Sequence, residues 1–260
     1  IDATMHNIAA DHSQDQRRNK TVLTPTAATS ITETSSTPTA RCILRRGKEE
    51  SLLRFHPWIF SGAIYRMEGT PAEGDLVDVY TSQGDFIARG HYQIGSITIR
   101  VLSFIDETID QSWWNERIEL AYHMREALGL TNNPQTTCYR LVHGEGDSLP
   151  GLVIDIYGTT AVVQCHSVGM YRSRKAICSA LRNVYRDRVK SIFDKSGGTL
   201  PYNAGLNAQD GYLWGEANAS SEPVLENGNR FMVNWEQGQK TGFFIDQREN
   251  RELVKRYAKG

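Results

Sequence analysis

Three short segments rich in β-branched or aromatic residues, Asp75 to Tyr80, Phe86 to Tyr92 and Ser96 to Leu102, follow one another across turns containing Gly84 and Gly95. Segments of this length and content read as strands, and several of them at this spacing predict a small β-barrel-like domain ending near Phe104. Upstream, the texture changes at Cys42. Residues 1–40 are Ser-, Thr- and Ala-rich without apolar periodicity and start on Ile1. Such a stretch cannot repay its ordering entropy by burial, so a disordered or extraneous tail is expected, and the missing initial methionine suggests a fragment. The first folded domain is then expected over residues 41–105.

Beyond it, Asp110 is placed as the N-cap of a helix from Gln111 to about Leu130, with Trp114, Ile118, Ala121 and Leu128 on its apolar side. Between two strand-rich regions, this helix (residues 106–130) reads as a connector. A second, α+β domain is expected over residues 131–235. It comprises strands at Tyr139 to Val142, Leu152 to Tyr157 and Thr160 to His166, a helix from Met170 to Arg188, and a hairpin turning at Asn227-Gly228 before a strand over Arg230 to Trp235.

Composition bounds the function more than it selects it. With 39% apolar and 23% charged residues the chain is that of an ordinary soluble protein. It has no apolar run long enough to span a membrane and no secretory signal, which makes the cytoplasm the expected compartment. Four cysteines, Cys42, Cys138, Cys165 and Cys178, lack the spacing of a disulfide framework or a zinc site, and no histidine pattern suits a metal. The net charge is −1, yet 21 of the 29 basic residues are arginines, the side chain best suited to phosphate.

Their positions suggest two surfaces. Arg172, Lys175, Arg182 and Arg186 are spaced to share one face of the Met170–Arg188 helix, either as a phosphate-binding stripe or as a solvated face. Arg45, Arg46 and Arg54 precede Trp58 and Phe60, whose rings would either stack on bases or fill the barrel core. A third candidate is the polar loop Gly238 to Arg251, enclosing Phe243-Phe244. It reads either as the edge of a cofactor site or as a helix cap.

Three motifs occur in order: His56-Pro57-Trp58-Ile59-Phe60-Ser61-Gly62-Ala63-Ile64; Tyr139 through Asp147 with Leu149-Pro150-Gly151; and Gly238 through Arg248 with Asn250-Arg251. Together they resemble the bacterial large-subunit (23S) ribosomal RNA cytosine-C5 methyltransferase family, from about Cys42 to Gly260. The resemblance implies a mixed fold: a small PUA-like, RNA-binding β-barrel followed by an α+β central domain, ending at the opening of a missing Rossmann-like methyltransferase domain, of which residues 236–260 would be the start. It also implies S-adenosylmethionine as cofactor, large-subunit ribosomal RNA as partner, and Gln239, Lys240, Thr241, Gly242, Gln247, Arg248 and Arg251 on the cofactor side. The catalytic cysteine would lie beyond Gly260, leaving this chain inactive alone. A non-catalytic RNA-binding or ribosome-assembly protein is the alternative.

Overall fold

The computed structural model describes residues 36–201, 205–216 and 223–258, all of them within one compact unit. The expected tail lies outside the described residues up to position 35, and its last residue, Ala40, already opens a strand.

The first domain comprises β1 (Ala40–Leu44), the one-turn α1 (Glu50–Leu53), β2 (Trp58–Phe60), β3 (Ile64–Glu68), β4 (Leu76–Tyr80), β5 (Phe86–Tyr92) and β6 (Ile97–Ser103). The strands form one mixed sheet in the order β2-β6-β5-β4-β1-β3, with β1 parallel to β4 and the other pairs antiparallel. Its edge strands, β2 and β3, are linked by the turn Ser61–Ala63 and not by ladder hydrogen bonds, so the predicted barrel is an open sheet. Alternation along the strands sends Cys42, Leu44, Ile59, Val77, Val79, Ile99 and Val101 into one apolar core.

The second domain begins with α2 (Gln111–Ala127), whose first turn is capped by Asp110 Oδ1 accepting from the Trp113 amide at 3.0 Å. It does more than connect. Trp113, Trp114, Ile118, Ala121 and Tyr122 are buried in the second domain's core, whereas Leu128, expected on the apolar side, is exposed.

The second sheet runs β11-β10-β9-β8-β7, from β7 (Cys138–His143), β8 (Leu152–Tyr157), β9 (Thr160–Cys165), β10 (Ser191–Asp194) and β11 (Gly211–Trp214). β7, β8 and β9 form an antiparallel meander, and a crossover through α3 (Val168–Arg172) and α4 (Arg174–Tyr185) makes β10 parallel to β9. Both faces of this sheet are covered. Ile154, Ile156, Ala161, Val163 and Ile192 point into a core with α2 and α4, while Tyr157, Val162 and Phe193 point to the opposite face.

That opposite face is covered by the hairpin β12 (Val224–Glu226) and β13 (Asn229–Phe231) together with Val233, Trp235, Phe243 and Ile245. The hairpin turns at Asn227-Gly228 as predicted, with φ of 50° and 78°, the pair of positive values a two-residue hairpin loop requires. The strand expected over Arg230 to Trp235 is shorter, ending at Phe231. Residues 236–245, expected to open a further domain, pack on this sheet through Phe243 and Ile245, and α5 (Arg248–Tyr257) follows with no buried residue.

The two domains share a seam. Leu76 of β4 and Leu102 of β6 belong to the second domain's core. His91 of β5 is buried against α3 so closely that a Cβ added at Gly169 would lie 2.2 Å from the imidazole Cγ. Arg172 Nη1 donates to Asp75 Oδ1 at 3.1 Å across the same seam.

Candidate functional site

Several arginines are committed inside the protein. Arg89 pairs with Asp78, Arg125 with Asp147, Arg140 with Asp155, Arg172 with Asp75, and Arg251 with Glu226. The surface that remains is smaller than the count suggested.

The predicted stripe on a single helix is broken. Ser173 separates α3 from α4, leaving Arg172 on the first and Lys175 and Arg182 on the second. Arg186 lies past the helix end with φ of 52°, so the spacing rule that aligned it with Arg182 does not apply. The Arg182 guanidinium stacks over Trp214 at 4.7 Å. These four residues do not form one phosphate-facing row.

On the first domain Arg45, Arg46 and Arg54 are exposed, as the sequence suggested. The alternation of β2 buries Ile59 and leaves Trp58 half-buried and Phe60 exposed, which excludes both rings from the sheet's core. The rings of His56, Trp58 and Phe60 follow one another edge to face, with centroids 5.8 and 6.4 Å apart.

Trp58 reaches the second domain. Its indole Nε1 donates to Glu145 Oε1 at 2.9 Å, bridging β2 to the turn after β7. In that turn the two acidic residues divide their work. Asp147 accepts from the His143 amide and is held by Arg125, whose Nη2 lies 2.8 Å from Oδ2, while Glu145 is exposed. Beside Glu145 is a cavity of about 260 Å³ lined by Arg100, His143, Gly151, Leu152, Val153 and His166. Burial lowers the pKa of Arg100, with Glu145 only partly opposing it, and loss of hydration together with Arg140 lowers that of His166. No local signal in the sequence links Glu145, His143, His166 and Arg100; only the fold brings them together.

In the Gly238–Arg251 loop the expected cofactor-side residues separate into two groups. Thr241 is fully buried and bonded through Oγ1 to Asp155 and to Tyr157 Oη, and Asp155 is also held by Arg140 at 2.8 and 3.0 Å. Arg251 grips the buried Glu226 with bonds of 2.6 and 2.8 Å, and Arg248 donates to the Cys138 carbonyl at 2.7 Å. These three side chains hold the loop's shape. Gly242, with φ of +124°, is close to Trp235: an added Cβ would be 2.8 Å from its Cα, so the glycine serves packing and not ligand approach. Asn234 accepts from the Gln237 amide at 3.0 Å, closing the preceding turn. Gln239, Lys240 and Gln247 are exposed, with the Lys240 ammonium 4.5 Å above the Phe244 ring.

All four cysteines are buried and free, and burial pushes their pKa up, to about 12 for Cys42 and Cys165 and about 11 for Cys138. None is a ready thiolate. Among the described residues no helix is long and apolar enough to cross a membrane, and no cluster of three or more His, Cys, Asp or Glu side chains could hold a metal.

The class of the first domain follows from a family model: residues 42–104 match the PUA-like domain. Across a larger part of the chain, 224 residues are 40% identical to the ribosomal RNA large subunit methyltransferase I of Erwinia tasmaniensis and to that of Yersinia pseudotuberculosis. Each match covers 85% of this chain and 56% of the relative, so the chain spans little more than half the length of these curated relatives. A solved chain from Streptococcus mutans, assigned to the SAM-dependent methyltransferases, has the same fold with a TM-score of 0.68 at 22% identity, over 82% of this chain and 53% of that one. A further solved methyltransferase structure, complexed with SAH, is equally similar.

Proposed function

We propose that this chain contributes the RNA-binding part of a cytoplasmic, S-adenosylmethionine-dependent methyltransferase acting on C5 of a cytosine in large-subunit ribosomal RNA. The observation that carries this reading is the 40% identity to proteins named for ribosomal RNA methylation, sustained over 224 residues and thus well beyond the PUA-like domain. Arg45, Arg46 and Arg54 supply exposed cations beside the aromatic row of β2, a pairing suited to a backbone with unstacked bases. Lys175, Arg182 and Arg186 add a second, discontinuous patch.

On the cofactor side, Gln239, Lys240 and Gln247 are the exposed groups that would meet S-adenosylmethionine, while Thr241, Gly242, Arg248 and Arg251 shape the loop behind them. The cofactor supplies an electrophilic methyl on a sulfonium. Attack by a base carbon as unreactive as cytosine C5 calls for a thiolate adding at C6, and the buried, high-pKa cysteines here do not serve. The chain by itself therefore binds RNA and transfers no methyl group.

The test is to titrate the 260-residue chain with a labelled large-subunit ribosomal RNA fragment at several salt concentrations, and to incubate the same mixture with methyl-labelled S-adenosylmethionine. Saturable binding that weakens steeply with salt, without label in the RNA, is the expected result. Salt-independent or absent binding overturns the RNA reading; label in the RNA overturns the assignment of the chain as inactive alone.

A further inference from the structure

We propose that the cavity at the seam of the two domains receives one unstacked nucleobase of bound RNA, with guanine preferred. The inference rests on the RNA-binding reading above and names the site within it.

The cavity is small. At about 260 Å³ it falls below the roughly 300–1,000 Å³ of pockets for drug-sized ligands, a scale that suits one heteroaromatic ring and not an extended molecule. Its walls come from both domains: Arg100 from β6, His143 from the end of β7, Glu145 from the turn after it, and His166 directly after β9. Next to it stands Trp58, paired in register with Arg100 across β2 and β6 and pinned through its indole N–H. A ring fixed in this way costs little entropy when a base stacks on it.

The polar groups in the cavity are largely unspent. Glu145 accepts one hydrogen bond, from Trp58 on Oε1, which leaves Oε2 without a partner among the described residues. Arg100 makes one, from Nη1 to Gln93 at 3.1 Å. His143 accepts one hydrogen bond, on Nδ1 from Arg140 Nη1, and the His166 ring makes none among the described residues. Arg100 and Glu145 line the same cavity and feel each other's charge, yet among the described residues no ion pair joins them. A desolvated guanidinium and a half-used carboxylate lining one cavity are left open to a ligand that carries an acceptor beside donors. The Watson–Crick edge of guanine has that pattern, with O6 next to N1–H and N2–H₂. It alone among the four bases offers two adjacent N–H groups to one carboxylate together with a carbonyl for a guanidinium.

The experiment is fluorescence anisotropy with the full chain and labelled oligouridylates that differ only at one central nucleotide. Guanosine at that position should tighten binding by about tenfold over uridine or adenosine, the effect of one good bidentate contact. Glu145→Gln, at an exposed position that leaves the fold intact, should abolish the preference. Arg46→Gln should weaken all oligomers alike. Equal affinity for every oligomer, or a preference that survives Glu145→Gln, overturns the proposal and leaves the RNA-binding function standing. Guanosine monophosphate binding as tightly as the oligomer identifies a free-nucleotide site and overturns it too. If no oligomer and no ribosomal fragment binds, the function itself fails and the inference with it.

Discussion

At the scale of single residues the fold depends on a few buried charges, each matched by a partner distant in sequence. Glu226 is nearly inaccessible and accepts two bonds from Arg251, with Arg248 Nε 3.6 Å away. Truncating Arg251→Ala leaves that carboxylate buried with its weaker partner, and urea denaturation should find a loss of about 3 kcal/mol. The buried His91 has no hydrogen-bond partner on either ring nitrogen, and desolvation, with Arg100 and Arg172 adding, lowers its pKa to about 3. Since the folded value lies below the unfolded one, about 6.5, the unfolded chain binds the extra proton between these limits. Stability should therefore fall as pH drops from about 6.5 toward 3, by at most about 1.4 kcal/mol per pH unit. His91→Leu should flatten that slope in pH-dependent melting curves; an unchanged slope would place the acid sensitivity elsewhere. None of these partnerships was legible in the sequence. Asp155 and Thr241, or Glu226 and Arg251, become neighbours only through the sheet and the segment folded over it, and nothing local marks an Asp or Glu as buried.

At the scale of elements, local signals were reliable where a turn bounded the element. β5 and β8 lie where their β-branched and aromatic content and the flanking glycines placed them, and Asp110 caps α2 as expected. The basic stripe failed for an equally local reason: helical spacing was extended through Ser173 and past Tyr185, where the backbone leaves the helix. β10 and β11 gave no clear signal. Ser191–Asp194 is buried on both faces and shows no alternation, and Gly211–Trp214 follows a loop without periodicity. The candidate loop was recognised as a unit, but sequence could not tell its outward side chains from those that hold it together. α3 makes the sharpest element-level prediction. Gly169→Ala places a methyl group inside the His91 ring, and the forced separation should cost about 2 kcal/mol or more by calorimetry, whereas Gly84→Ala, with open space around it but φ of +95°, should show only the backbone penalty of about 1–2 kcal/mol.

At the scale of the whole molecule, the seam makes the two domains one folding unit. Leu76 and Leu102 belong by sequence to the first domain and by packing to the core of the second, and Trp58, Asp75 and His91 add contacts across the same boundary. A single calorimetric transition is expected, coincident when followed by tryptophan fluorescence and by far-ultraviolet dichroism; two resolved transitions would show that the seam adds little stability. The same geometry decides how freely such a chain can be rearranged. A cut between Phe104 and Asp110 looks, from the strand pattern, like a natural joint at which a first domain could be exchanged between proteins. Because that joint would strip two leucines and a neutral histidine of their cover, a transplanted first domain is adhesive unless its new host brings a matching surface. The unit that can be shuffled intact is the pair of domains, not the PUA-like domain alone.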